Sequence, residues 1–303
     1  MIPTDQLEGK AVLMAAFPIE RQLMGAAKKT NFYRPAMTEA GRAPTRPESA
    51  IDQNGRTRQV FVAAEYPLSI TVDGHEVVTL MTLGTHPEAL ALGFLRNQRL
   101  IEYLEAIESI EVDWVGETAR VRTFAGRGIV DLHEKLSKRS VTSGCGQGTV
   151  FSCTLDALYD YDYRFSGTRM RISTISELLK TISKRNVIYR EAGSVHGCAL
   201  CKNSEVLLFI EDVGRHNAAD VISGLMWLDD IPGEDKIFYT TGRLTSEMVM
   251  KAAFMRIPVL VSRSGVTGMA LDLANDLGIT LIARAKREKM LVHAGKENVI
   301  FDS

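Results

Sequence analysis

A chain of 303 residues is long enough for about two ordinary domains, each with its own hydrophobic core. Hydrophobic residues make up 45% and charged residues 24%, the composition of a soluble globular protein. With 36 Lys plus Arg against 37 Asp plus Glu the formal net charge is -1, which argues against a nucleic-acid or polyanion binder.

The N-terminus makes a poor signal peptide: its first charge is Asp5 and its apolar stretch is short. Elsewhere the apolar runs are broken by charge, far below the ~20 residues of a membrane-spanning helix, so no membrane association is expected. Residues 28–58 hold Lys28, Lys29, Arg34, Arg42, Arg46, Arg56 and Arg58, with Pro35, Pro44 and Pro47 among them. Without apolar periodicity this stretch reads as an extended arm or linker. From Gln59 the pattern turns strand-like, in Val60–Val62, Leu68–Val72 and Val77–Leu80, with Asp73-Gly74 as a hairpin signal. His86-Pro87-Glu88 opens a helix through Leu90, Leu92, Phe94 and Leu95, and residues 107–114 and 118–123 read as a second hairpin.

The second half alternates. Strands are expected at 206–210, 237–240, 258–262 and 280–283, with helices at 214–227, at 246–256 and around Val266, Met269, Ala270, Leu273, Ala274 and Leu277. That order is the pattern of a layered α/β domain with a mainly parallel sheet. The expected layout is an N-terminal arm over 1–48, a small α+β domain over 49–140, and a Cys-bearing loop with the α/β domain over 141–303.

In such sheets ligands bind beyond the carboxyl ends of the strands, where helix N-termini offer backbone N–H groups to anions. Three turns fit that place: Glu211–Asn217, Thr240–Glu247 and Val261–Gly268, which carry hydroxyls, glycines and Arg215, Arg243 and Arg263. They suit a phosphate-bearing ligand, and ordinary helix capping would use the same residue types.

Four cysteines make no disulfide framework, and the expected compartment is a reducing cytoplasm. Cys145 sits between Gly144 and Gly146, with Lys135, Lys138 and Arg139 upstream. Positive charge near an exposed thiol favours the reactive thiolate; a cysteine that merely fits a glycine-rich turn is the plainer reading. Cys198 and Cys201, after His196, have metal-ligand spacing, yet on a strand positions three apart point to opposite faces, and no second pair completes a zinc site. Cys153 has no identifiable partner, and no metal site is expected.

Five segments now carry a resemblance: Glu65-Tyr66-Pro67-Leu68, Ala91–Leu95, the Gly144-Cys145-Gly146 loop, Glu211–Asn217, and Gly242-Arg243 leading to Glu247-Met248-Val249. In order and spacing they resemble the formate dehydrogenase accessory sulfurtransferase family (FdhD) over about residues 50–295. The resemblance implies a C-terminal three-layer α/β/α cytidine-deaminase-like domain with a smaller N-terminal α+β domain. It implies a sulfurtransferase that takes sulfur from a cysteine desulfurase as a persulfide on Cys145. The sulfur passes to the molybdenum cofactor, a bis(molybdopterin guanine dinucleotide) bound as substrate, which formate dehydrogenase requires. The family's cofactor-binding segment corresponds to Arg284, Ala285, Lys286, Arg287, Glu288 and Lys289, cation-rich as a pyrophosphate ligand requires. The family also implies a homodimer that contacts the guanine-nucleotide part of the cofactor.

One departure matters. The family's usual second loop cysteine, three residues after the first, is Gly148 here, and Val221 stands where Lys is common. Without a resolving cysteine, either Cys145 hands over sulfur directly or the protein is a non-catalytic cofactor chaperone. Zinc-dependent deamination, the rival that the fold suggests, needs H-x-E and P-C-x-x-C ligands. Neither is present: Ala218 follows His216-Asn217, and Cys198 lacks a preceding Pro.

Overall fold

The computed structural model of the chain describes residues 32–126, 129, 158, 165, 167–287 and 289–302. Its first sheet has five strands: β1 (Ala36–Met37), β4 (Tyr66–Val72), β5 (His75–Thr82), β6 (Ile107–Asp113) and β7 (Thr118–Thr123), in the order β1-β6-β7-β4-β5. Between β4 and β5, Asp73 and Gly74 both take positive φ, 47° and 84°, as a two-residue type I′ turn requires. The Asp73 carboxylate accepts hydrogen bonds from the backbone N–H and hydroxyl of Thr123 at 2.9 and 2.5 Å, tying the turn to the end of β7.

The stretch read as an arm carries regular structure where it is described. A two-stranded ribbon, β2 (Thr45–Ile51) with β3 (Thr57–Ala63), crosses the expected boundary at residue 48. Both strands are largely exposed, so they need no apolar alternation; Val60–Val62 of β3 gives the one strand signal in the ribbon, and β2 carries none.

The second sheet has six strands in the order β10-β9-β11-β12-β13-β14: β9 (His196–Lys202), β10 (Glu205–Asp212), β11 (Ile237–Thr240), β12 (Val259–Ser262), β13 (Thr280–Lys286) and β14 (Lys289–Ala294). Only β11, β12 and β13 run parallel to one another; β9, β10 and β14 pair antiparallel to their neighbours. The expectation of a mainly parallel sheet is thereby corrected. Short connections after β9 and β13 can make only hairpins, because a parallel return needs a crossover of a dozen residues or more. A minor parallel pair joins β8 (Met170–Arg171) to β15 (Val299–Ile300).

Helices cover both faces of the six-stranded sheet. On one side lie α4 (Arg215–Leu228), α5 (Ser246–Phe254) and α6 (Gly268–Leu277), in one apolar cluster with Cys198, Leu200, Phe238, Leu260 and Leu281. On the other lies α2 (Ile172–Ser183), whose Ile172, Ile175, Leu178, Leu179 and Ile182 meet Ala199, Cys201, Tyr239 and Val261. The short α3 (Val187–Ala192) follows α2. Alternate residues of each strand thus feed two cores, as a pleated strand dictates. No helix among the described residues is long and apolar enough to cross a membrane.

Helix α1 (Pro87–Asn97) joins the sheets by crossing α4 at very short range. A Cβ on Gly93 would stand 1.7 Å from the Asp220 carbonyl oxygen, and one on Gly224 would stand 2.0 Å from that of Ala89. Beside the crossing a buried polar network closes: Lys251 Nζ lies 2.5 Å from Asp220 Oδ1, which also accepts from Asn97 Nδ2 at 2.7 Å, while Ser223 Oγ donates to Asn97 Oδ1 at 3.0 Å. A buried charge pair persists when its remaining hydrogen-bonding capacity is met, as here.

Candidate functional site

The parallel strands β11, β12 and β13 end on the same edge of the sheet at which antiparallel β9 begins. Their turns are stitched together. Thr241 N donates to Gly197 O at 2.9 Å, and Gly197 N donates to Thr241 Oγ1 at 3.1 Å. Ser262 Oγ donates to Gly242 O at 2.6 Å, and Arg284 N donates to Ser264 O at 2.7 Å. The hydroxyls of Thr241 and Ser262 therefore bond across strands, and that of Thr240 accepts from Cys198 Sγ of β9 at 3.3 Å and from Gly242 N within its own turn at 3.1 Å. Caps at Thr245 and Thr267 make no side-chain bond to their helices, so plain helix capping does not account for these turns.

A cleft of about 540 Å³ opens at this edge. Arg263, Ser264, Arg284 and Lys286 are among the residues that line it, together with Asn186, Tyr189, Val195 and His196. Three cations converge there, Arg263 from the turn after β12 and Arg284 and Lys286 from the end of β13, a strong local field on a chain whose overall charge is near zero. Arg284 holds φ 51°, a left-handed conformation uncommon for a residue with a Cβ, which projects its side chain outward while Ala285 turns into the core. His196 Nδ1 lies 3.3 Å from Thr241 Oγ1. Burial, then the charges of Arg215 and Arg243, hold its imidazole below the ordinary range, so it is neutral at neutral pH.

The sequence-expected residues divide accordingly. Arg284 and Lys286 line the cleft; Ala285 is buried beneath it; Arg287 forms the turn to β14 and Lys289 opens that strand, and neither lines the cleft. Of the three turn arginines, Arg263 lines the cleft, Arg215 is buried and Arg243 is exposed. Cys145, Cys153, Lys135, Lys138, Arg139 and Glu288 lie outside the described residues. Cys198 and Cys201 face opposite sides of β9, and burial pushes the Cys198 thiol up to about 12 and raises that of Cys201 as well. Neither is a thiolate at neutral pH.

Tyr189 and Asn186 were not expected at the site. They come from α3 and the residue before it, and six helical residues carry no periodic signal. The motif Glu211–Asn217 is mostly internal scaffolding. The Glu211 carboxylate accepts from the backbone N–H groups of Ile188 and Tyr189 at 2.9 and 3.0 Å, which fixes α3 against β10. Asp212 accepts from Thr82, Leu83, Gly214 and Asn217 at 2.6–3.1 Å, which binds the five-stranded sheet to the start of α4.

The arrangement is an anion-attracting cleft with an aromatic wall, placed where α/β sheets hold nucleotides. Comparison with known proteins agrees in extent. The FdhD/NarQ family model matches residues 63–300. The chain is 30% identical over 263 residues to the sulfur carrier protein FdhD of Geobacillus kaustophilus, across 86% of this chain and 99% of that one. It is 30% identical over 239 residues to the protein of the same name from Wolinella succinogenes, across 78% and 82%. A solved structure from Desulfotalea psychrophila, described as a formate dehydrogenase accessory protein, superposes with a TM-score of 0.65 at 26% identity, over 84% of this chain and 98% of that one. Matched from residue 63 to residue 300, and by relatives over most of their own length, the chain belongs to the FdhD/NarQ family.

Proposed function

We propose that the protein is a sulfur carrier in formate dehydrogenase maturation. It accepts sulfur from a cysteine desulfurase on Cys145 and passes it to the bis(molybdopterin guanine dinucleotide) form of the molybdenum cofactor, its substrate. In the first transfer the Cys145 thiolate attacks the outer sulfur of the donor's persulfide. The donor cysteine leaves as a thiolate, and Cys145 becomes Cys–S–SH. A persulfide is more acidic and more nucleophilic than its parent thiol. In the second transfer the S–S bond would break with its electron pair staying on Cys145, which leaves as the thiolate; the outer sulfur loses its proton to solvent and would take from the reduced metal of the substrate the two electrons that make it a sulfido ligand.

The observation that carries this reading is the convergence of Arg263, Arg284 and Lys286 on one cleft at the strand ends. Guanidinium and ammonium groups there suit the pyrophosphate of a dinucleotide. The names of the relatives, sulfur carrier protein FdhD, supply the sulfur chemistry. Helices on both faces of the six-stranded sheet support the cytidine-deaminase-like reading of the fold. A cytoplasmic homodimer belongs to the same proposal, on the strength of the family.

The test is to incubate the purified protein with a cysteine desulfurase and cysteine, then map added sulfur by peptide mass spectrometry without reductant. Reductant-sensitive sulfur on the Cys145 peptide alone is expected, and Cys145→Ala should abolish activation of formate dehydrogenase. Gly148, where a second cysteine is usual, favours one alternative: a chaperone that carries the cofactor and no sulfur. That reading holds instead if a working donor leaves Cys145 unmodified and Cys145→Ala retains most activation.

A further inference from the structure

Helix α3 borders the cleft and leaves large apolar side chains in water: Val187 is 59% exposed and Tyr189 49%. The two lie two residues apart, so they point to opposite flanks of the helix, whereas Val187 and Glu191, four apart, share one. Tyr189 lines the cleft. On the other flank Thr45 Oγ1 donates to Glu191 Oε2 at 3.1 Å, which seats the ribbon of β2 and β3 beside α3. Thr45 pairs with Ala63 across the ribbon, and Phe61, two residues before Ala63, shares their face and is 47% exposed. Ribbon and helix thus turn Phe61 and Val187 to the groove between them, and at those exposures the two side chains leave it unfilled. The mount is fixed. Glu211 holds the N–H groups of Ile188 and Tyr189, and the Arg190 guanidinium donates to Lys184 O at 3.2 Å across the turn from α2 to α3. The surroundings are basic: residues 178–192 hold Lys180, Lys184, Arg185 and Arg190, all exposed, against a single carboxylate, Glu191, which is engaged with Thr45. Isolated exposed apolar residues need no explanation. An aromatic and a branched side chain on a preorganised backbone, rimmed by arginine and lysine, have the make-up of a protein interface whose partner is acidic. A simple polyanion would use the cations and leave Phe61 and Val187 without a role.

We infer that the groove between the ribbon and α3 docks an acidic surface, with an apolar side chain at its centre, of the enzyme that receives the cofactor. The inference rests on the reading above that the cofactor passes from the cleft to formate dehydrogenase. A recipient seated on one flank of α3 has the cleft on the other flank, about one helix diameter, ~10 Å, away.

Biolayer interferometry of the full chain against cofactor-free formate dehydrogenase tests it. Desulfurase-dependent sulfur loading and pyrophosphate binding of the same preparations serve as controls. Val187→Asp and Phe61→Asp are each expected to weaken the complex by about 10- to 100-fold, the scale of a lost interface anchor, and to leave both controls unchanged. Lys184→Glu combined with Arg190→Glu should slow association and flatten its dependence on salt. Wild-type affinity in Val187→Asp and Phe61→Asp would place docking elsewhere and overturn the inference. Loss confined to the charge variant would do the same, since it marks unspecific attraction to negative charge. A wild-type chain that loads sulfur yet does not bind the cofactor-free enzyme would overturn the inference alone. One that does neither would overturn the sulfur-carrier reading with it.

Discussion

At the scale of single residues, His216 shows how an apparent functional motif spends its chemistry inside the fold. Its Nε2 lies 3.2 Å from Glu247 Oε2, and burial, helped by Lys251 and Arg215, pushes its pKa from 6.5 down to about 2. The ring is neutral at neutral pH, so the contact with Glu247 is dipolar rather than an ion pair. The unfolded chain therefore binds one more proton than the fold between pH 6.5 and about 2. The stability this neutral histidine permits is fully present above the unfolded value and is lost as pH falls through that window, at up to about 1.4 kcal/mol per pH unit. His216→Gln does not titrate and should lose less. Urea unfolding at about pH 7.5 and pH 5.5 should show the difference in stability shrinking by about 1 kcal/mol relative to wild type. Equal pH dependence in both proteins would mean that His216 accepts its proton in the folded state.

At the scale of elements, the crossing of α1 and α4 governs how the two sheets are held. Backbone carbonyls of each helix occupy the space in which the other would carry a Cβ, so Gly93→Ala must push one helix off the other. The expected cost is about 1–3 kcal/mol or more, read as a lower urea midpoint. An unchanged midpoint would show that the crossing relaxes freely. The helices themselves are legible in the sequence: apolar spacing, with Pro87 opening the first, locates both within a residue or two of Pro87–Asn97 and Arg215–Leu228. Their contact is not legible, because a lone glycine in a helical run does not say which backbone approaches it. Helix α2 carries an apolar stripe as clear as any, yet it is absent from the expected elements. Strand β14 is missing from them for a different reason: it is an edge strand with an exposed Leu291, so its hydrophobic pattern is weak.

At the scale of the whole molecule, the cleft exists only because β9, β11, β12 and β13 bring distant turns to one edge. A ligand that binds the fold and not the unfolded chain stabilises it in proportion to the logarithm of its concentration over Kd. Pyrophosphate at about 100 times its Kd should therefore add about 2.7 kcal/mol, seen as a rise in Tm. Arg284→Gln should remove most of that rise, and about 1 M salt should weaken it by screening the cations. A rise that survives both changes would place the anion outside this cleft.

The sequence by itself determined the family, through the spacing of Glu211–Asn217 and Gly242–Val249, and it determined the strands and helices whose periodicity is strong. It also named Arg263, Arg284 and Lys286, and it separated Cys198 from Cys201 by strand alternation. Only the tertiary structure decided that Glu211, Asp212 and His216 serve the scaffold, that Ala285 and Lys289 lie off the cleft, and that Tyr189 and Asn186 lie on it. The physical reason is range. Periodicity and turn chemistry act over a few neighbouring residues, whereas a carboxylate chooses between ligand and backbone according to which N–H groups a distant helix places beside it.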